Sequence, residues 1–334
     1  MTVSLSRLGQ LRGSAADDLA LFQKLGLNEV LEAYETACVF KDKLYTRTIK
    51  GAKSADFPIA GKKSARYHTP GTAILGSGNS PSDLAVRNIA LDALMIADDT
   101  IYDLDEAMNY WSVRQNYTTE LGRALAYELD RRAARMIFAA AGNSTEPLAK
   151  SVNTGRTGFT VTLSAGYAAA SLQSKGDELV TAIYKCRANF NKKDVPPNDR
   201  WVALGPDDYN ALSQSTRGQN QDFNGGSGAN GTIADGKIMR IGGIGILESN
   251  FVTQAAYTTQ AGLDRNPDYA QDLSKCVGLC WRKQAAGILF LKTPDLQITS
   301  GDHNIIYQAT TMVSRQAIGM GVLRAEEACR IVTP

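Results

Sequence analysis

Apolar positions change their period several times along the chain, and each change marks an element. Asp17 to Lys24 reads as a short helix, with Ser14 and Asp17 at the S-x-x-D spacing of a capping box and Gly26 as its stop. Asn28 then caps a second short helix that sets Val30, Leu31 and Tyr34 on one side. Leu44 to Ile49 reads as a strand. Its expected partner is Val86 to Ile96, where Ile89 and Leu91 alternate with Ala90 and Asp92. Asp103 and Glu106 have N-cap to N3 spacing. From Leu104 through Met108, Leu121, Leu125 and Leu129 to Met136, apolar residues recur at three- and four-residue steps, until Gly142-Asn143. That pattern predicts one helix of about 38 residues, a rod of roughly 55 Å. Its narrow apolar stripe and its many charges, Arg131, Arg132 and Arg135 among them, predict an exposed strut.

Beyond about residue 151 the pattern becomes mixed α/β. Ser174 and Asp177 start a helix whose face is Leu179, Ile183, Cys186 and Phe190, and Pro196-Pro197 breaks it. Trp201 to Leu204 reads as a strand, and Pro206-Asp207 opens another helix at proline's favoured first position. Further strands are expected at Ile238–Leu247, Val277–Trp281, Gly287–Lys292 and Ile305–Val313. Residues 218–236 hold six glycines and read as a flexible surface loop.

The stretch between residues 50 and 85 fits neither period. Gly51, Pro58, Gly61, Pro70, Gly71, Gly76, Gly78 and Pro81 punctuate it. A connection this long without a helix is uncommon in a compact domain. It is either a disordered insertion or a long β-hairpin arm ordered by a neighbouring molecule. Phe57, Ile59, Tyr67, Ile74 and Leu75 favour the arm, because disordered linkers lack such residues. From Lys43 to Leu75 charge is lopsided: Lys43, Arg47, Lys50, Lys53, Lys62, Lys63 and Arg66 stand against Asp56 alone.

Composition narrows the function. The 334 residues carry Lys+Arg 36 against Asp+Glu 34, a net charge of +2, which argues against a dedicated nucleic-acid binder. Hydrophobic content of 43% is that of a globular chain, and 334 residues are enough for two domains. Five cysteines at wide spacing are expected to be reduced thiols. No apolar run approaches a membrane span, and none opens the chain as a secretory signal would. A soluble protein inside a cell, or one assembled there, is the expectation.

No catalytic constellation emerges. The acids Asp98, Asp99, Asp103, Asp105 and Glu106 sit where a helix dipole favours them. Of the two histidines, His68 lies in the Gly/Pro-rich arm and His303 follows Gly301-Asp302 in a turn, with no G-x-S-x-G serine for either. Cys276, Cys280 and His303 lack a fourth zinc ligand and the tight pairing a zinc site needs. Ile241-Gly242-Gly243-Ile244-Gly245 lacks the spacing of a dinucleotide turn and is expected to be a bent strand. Catalytic, cofactor and metal sites are therefore expected to be absent. What remains is a body with appendages that suit a chain interlocking with its own copies.

Several stretches carry a resemblance. They are Leu19-Ala20-Leu21-Phe22-x-Lys24 and Glu29-Val30-Leu31-x-Ala33; then Lys53-Ser54-Ala55-x-Phe57-Pro58-x-x-Gly61 and Pro70-Gly71. Ile101-Tyr102-Asp103, Ala107-Met108-Asn109, Val113-Arg114 and Tyr117-Thr118-x-x-Leu121-Gly122 follow. Val195-Pro196-x-x-Asp199-Arg200, Pro206-Asp207-x-Tyr209 and Gly319-x-Gly321-x-Leu323-Arg324-x-Glu326 complete the set. In order and spacing the sequence resembles the major capsid proteins of short-tailed, T-seven-like (autographivirus-type) phages, whose subunits have the HK97-like α+β fold.

The resemblance implies an N-terminal arm over 1–42, an extended loop over 43–92 and a peripheral domain with the spine helix over 93–150. It implies an axial domain over 151–295, peripheral strands over 296–318 and a return to the axial domain over 319–334. It implies a structural, non-enzymatic subunit that forms pentamers and hexamers of an icosahedral virion shell of triangulation number seven, assembled in the host cytoplasm. The implied partners are copies of the chain, a scaffolding protein, a portal protein at one vertex, and packaged double-stranded DNA held weakly and without sequence preference; no membrane and no cofactor are implied. Some relatives of the fold crosslink a loop lysine to an asparagine; the T-seven-like branch does not, so a noncovalent shell is expected. An encapsulin-type cellular nanocompartment shell of the same fold is the alternative. Candidate subunit-interface residues are Leu21 and Phe22 in the N-arm and Lys53, Phe57, Pro58, Arg66 and Tyr67 in the loop. Glu120, Glu128 and Asp130 on the spine helix are the acids expected to face the loop's positive charge.

Overall fold

A computed structural model describes residues 16–60, 65–74, 84–108, 113–145, 156–215, 240–257, 263–299 and 302–334. The elements run as α1 (Ala16–Ala37), β1 (Tyr45–Thr48), β2 (Ser54–Ala60), β3 (Leu84–Ala90), β4 (Met95–Tyr102), α2 (Asp103–Met108) and α3 (Val113–Gly142). Then come β5 (Phe159–Thr162), α4 (Leu172–Lys192), β6 (Arg200–Leu204), α5 (Pro206–Ser213), β7 (Arg240–Ile241) and β8 (Ile244–Glu248). The chain ends with β9 (Cys276–Arg282), β10 (Ala286–Ile298), α6 (Asp302–Tyr307), β11 (Ala309–Val322) and β12 (Ala328–Val332).

Two compact units share these elements: Met1–Val39, Asp92–Arg131 and Phe290–Ile318 form the first, and Phe40–Leu91, Arg132–Leu289 and Gly319–Pro334 the second. In the first unit β4 runs antiparallel to β11, with Ile101 opposite Thr310 and Ile96 opposite Arg315. The core gathers Val30 of α1, Ile101, Leu121 of α3, Leu296, Ile298 and Met312, with Leu27, Ala97 and Tyr117 packed against it. Buried Gln316 ties strand to helix: its amide donates to the Leu125 carbonyl at 3.1 Å. A polar side chain is tolerated here because it has a partner.

The second unit is built on a six-stranded sheet in the order β5-β12-β9-β6-β8-β7. β12 with β5 and β6 with β8 are parallel; the remaining pairs are antiparallel. α4 lays Leu179, Ile183, Cys186 and Phe190 onto Val202, Leu204, Cys280, Cys329 and Ile331. Ser171 caps α4, its side chain accepting from the Ser174 amide at 3.3 Å. A separate two-stranded hairpin pairs β2 with β3, from Ser54 opposite Ala90 to Ala60 opposite Leu84.

Several sequence expectations change. α1 is one helix that passes through Gly26, because the missing Cβ lets the Leu296 side chain approach; a methyl there would stand 2.8 Å from Leu296 Cδ2. The strand expected over Val86–Ile96 is two strands: β3 pairs with β2, and β4 pairs with β11. Asp98 and Asp99 consequently lie on β4, ahead of the helix. The long helix is described as α2 and α3, with residues 109–112 outside the described set. At 30 residues α3 spans about 45 Å.

The C-terminal half of α3 is no exposed strut. Ala133 to Phe138 are all buried, and two of the arginines expected on its surface, Arg132 and Arg135, are used internally. Arg132 pairs with Asp264 at 3.0 Å, and buried Arg135 donates to the Ala255 carbonyl at 2.9 Å and stacks over Tyr257. A helix buried on all sides needs such partners, since an uncompensated charge in the interior is costly.

Ile241–Gly245 is a tight hairpin: Gly242 (φ 58) and Gly243 (φ 82) form the two-residue turn between β7 and β8, a backbone that glycine adopts readily. Ile305 to Tyr307, read as strand, are helical in α6. The loop expectation for 218–236 falls outside the described residues. Strands β5 and β12, with no period-2 signal beyond four or five residues, escaped the sequence reading altogether.

Candidate assembly site

The arm begins in the core of its own unit. Along β2 and β3 alternate residues face opposite sides, as strand geometry requires. Ala55, Phe57 and Ile59 turn inward with Ile89, toward Ile49, Leu91, Leu289 and Leu323. Phe57 is half-buried, meets Tyr45 edge-on at 5.9 Å between ring centroids, and carries the Arg47 guanidinium 5.5 Å above its face. Tyr45, Phe57, Pro58, Ile59, Gln284, Leu323 and Arg324 line a cleft of about 230 Å³ at this base. Phe57 and Ile59 therefore pack on the subunit itself.

The opposite face is open. Pro58 pairs with Val86 in register and both are exposed; Asn88 bridges to Asp56 Oδ1 at 2.5 Å beside them. Farther out, residues 65–74 are exposed throughout, Tyr67 completely and Ile74 by 70%. Arg66 donates to the Ile74 carbonyl at 2.7 Å, and Thr72 to the Thr69 carbonyl at 2.7 Å, which holds this segment in a defined turn. Lys53 is exposed, and its carbonyl accepts from the Leu91 amide at 2.9 Å. Exposed aromatic and branched side chains thus gather on this arm.

The expected acidic counterpart on α3 is smaller than its sequence suggests. Glu120 is exposed and paired with Arg123 at 2.7 Å, one turn on. Glu128 lies 3.6 Å from Arg131. Asp130 is fully buried and accepts the Val39 amide at 2.7 Å, so it offers no surface charge. A polar cleft of about 440 Å³ between α1 and α3 is lined by Glu29, Glu32, Gln115, Thr119, Arg123 and Tyr127, among others. Glu29 there accepts from Thr118 Oγ1 at 2.6 Å. Leu21 and Phe22 lie on α1, with side chains outside the described set.

Sequence reasoning missed a second exposed apolar group in the first unit. Tyr102, Leu104, Met108, Ile305, Ile306 and Tyr307 are each more than half exposed, at the end of the β4–β11 pair where α2 leaves and α6 enters. Reading Ile305–Tyr307 as strand concealed it; two isoleucines and a tyrosine in a row beside His303 were the available signal.

Among the described residues no group of three or more His, Cys, Asp or Glu could hold a metal ion. No described helix is long and apolar enough to cross a membrane. His68 is exposed in the arm.

Comparison with known proteins gives a consistent set of relatives. The sequence signature of the Gp10A-like family, described as major capsid protein, matches residues 56–332. The chain is 30% identical to the major capsid protein of Enterobacteria phage T3, over 96% of this chain and 94% of that one. It is 29% identical to the major capsid protein of Escherichia phage T7, over 96% and 93%. Among solved structures, the capsid of cyanophage P-SCSP1u matches with a TM-score of 0.76 at 30% identity, covering 100% of this chain and 99% of that one. The mature capsid of bacteriophage PhiM1 matches at 0.68 with 15% identity, over 89% and 87%. A virus-like particle from Pyrococcus furiosus matches at 0.55 with 11% identity, over 93% and 99%. The last two speak to fold alone, and the fold is the α+β HK97-like capsid fold.

Proposed function

The chain belongs to the Gp10A-like family of major capsid proteins, and from that premise we propose that it is the subunit of a phage head that closes by interlocking its arm with neighbouring copies. The observation that carries this is the arm itself: a hairpin anchored in its own unit at Phe57 and Ile59, with Pro58, Val86, Tyr67 and Ile74 left facing solvent. A second contact with other copies uses Tyr102, Leu104, Met108 and Ile305–Tyr307, a group of exposed apolar side chains at one end of the β4–β11 pair.

The shell consists of pentamers and hexamers, with triangulation number seven, and assembles in the host cytoplasm on a scaffolding protein around a portal. It encloses double-stranded DNA without gripping it; a net charge of +2 suits a container for a polyanion better than a basic inner face would. The chain has a structural role and no catalytic one. Its parts are an N-terminal arm over 1–42, an extended loop over 43–92, a peripheral domain over 93–150 and 296–318, and an axial domain over 151–295 and 319–334. The first compact unit, which unites Asp92–Arg131 with Phe290–Ile318, supports the split peripheral domain. Identity of 30% to phage capsid proteins favours the phage shell over an encapsulin-type nanocompartment.

Sedimentation velocity of the purified chain, with and without a co-expressed scaffolding protein, tests this. Fast-sedimenting particles of this chain are expected; a slow species alone under both conditions contradicts the proposal.

A further inference from the structure

Three thiols meet in the core under α4. Cys186 of α4 and Cys329 of β12 have their sulfurs 2.8 Å apart. Cys329 stands opposite Cys280 of β9 in the antiparallel register. All three are completely buried, among Leu179, Ile183, Val202 and Ile331. No assembly surface described above uses them, and among the described residues no group of three or more His, Cys, Asp or Glu could hold a metal ion.

We propose that Cys186 and Cys329 form a modification site, an intrachain dithiol that a hydroperoxide oxidises to a disulfide joining α4 to β12 across 143 residues of chain. Geometry sets the pairing. A disulfide holds its sulfurs about 2.0 Å apart, so this pair closes by only about 0.8 Å. Charge sets the order of events. Cys280 and Cys329 both donate to the Cys186 sulfur, which holds that thiol below the ordinary range. Burial pushes Cys280 and Cys329 up. Of the three, Cys186 is the thiol that ionises most readily, and the thiolate is the reactive form.

The oxidation proceeds in two balanced steps. The Cys186 thiolate attacks one oxygen of the hydroperoxide; an S–O bond forms, the O–O bond breaks, and the leaving oxygen takes up a proton. Cys186 is now a sulfenic acid. The Cys329 sulfur then attacks the Cys186 sulfur; the S–S bond forms, the S–O bond breaks, and water leaves with the Cys329 proton. Two thiols give up two electrons and the peroxide accepts them. A hydroperoxide is small enough to reach the site when the edge of α4 opens locally. The resulting bond closes a long loop, so the oxidised chain has less conformational freedom when unfolded.

The native chain treated with hydrogen peroxide, then unfolded in an alkylating reagent, reads this out by mass. The expected product is lighter by two hydrogens, with three of the five cysteines alkylated and a linked peptide pair containing Cys186 and Cys329. Its thermal midpoint rises and reductant reverses the rise. Cys186→Ser and Cys329→Ser lose the link, and Cys280→Ser keeps it. Because a buried serine can itself unfold the chain, the wild-type peptide map decides. Alkylation of all five cysteines, a sulfinic acid with no link, or a link through Cys280 in place of Cys329 overturns the proposal.

Discussion

The backbone amide of Val39 donates to Asp130 Oδ2 at 2.7 Å, across 91 residues of sequence. Asp130 is fully buried, in the middle of α3. A carboxylate whose spacing placed it among surface acids instead fixes the point where the chain leaves α1. Distance along a helix identifies which residues share a face; it does not say which faces another segment covers.

Asp130→Ala is expected to cost the subunit about 1–3 kcal/mol, because it removes the acceptor of the part-buried Val39 amide. Asp130→Asn retains an oxygen and costs less. Urea denaturation followed by circular dichroism compares them; equal stability of Asp130→Ala and wild type would contradict the role given to this carboxylate.

Two aromatics of the arm should separate folding from assembly. Phe57 contributes to its own core, so Phe57→Ala lowers subunit stability by about 1–2 kcal/mol, in keeping with a half-buried ring. Tyr67 is fully exposed, so Tyr67→Ala leaves the denaturation midpoint unchanged and reduces the yield of particles. Loss of stability in the Tyr67 variant would place that ring in the fold.

How much of this was legible follows from what each signal encodes. The α4 face of Leu179, Ile183, Cys186 and Phe190 was readable, because a helical stripe meets one sheet and its period survives. Pro206 opening α5 was readable because proline's geometry is local. The arm's hairpin character could be inferred from its apolar residues, but its division into an anchored face and an open face depends on Ile49, Leu289 and Leu323, which are distant in sequence. The burial of Arg135 and Asp130 and the continuity of α1 through Gly26 depend in the same way on tertiary neighbours. Phe57 itself conveys only that an aromatic ring must be covered; the structure supplies the cover.

Asp208 gives a pH signature. Burial raises its carboxyl above the ordinary range, while the Tyr167 hydroxyl, donating at 2.6 Å, and Lys175 pull it back in part. A carboxylate with a raised folded pKa adds stability in acid that is lost as pH rises through that pKa. Asp208→Asn does not titrate. Its stability relative to wild type should therefore climb as pH rises from the usual carboxylate value through the raised one, then level off. A difference that stays flat or falls over that window, in parallel urea titrations, would contradict the assignment.

Mature particles should be noncovalent between subunits. Lys50 and Lys53 lie in the described part of the arm, Lys62 and Lys63 outside it. Boiled particles on a reducing denaturing gel should run as one band at the mass of a single chain. A ladder of multiples would show an intersubunit crosslink.

Negative-stain electron microscopy of wild-type protein and Tyr67→Ala, assembled side by side, tests most directly whether this chain closes into shells through its arm. Wild type should give closed isometric shells, and the folded Tyr67 variant few or none. Wild type without any closed shells, or a variant that closes as readily as wild type, would contradict it.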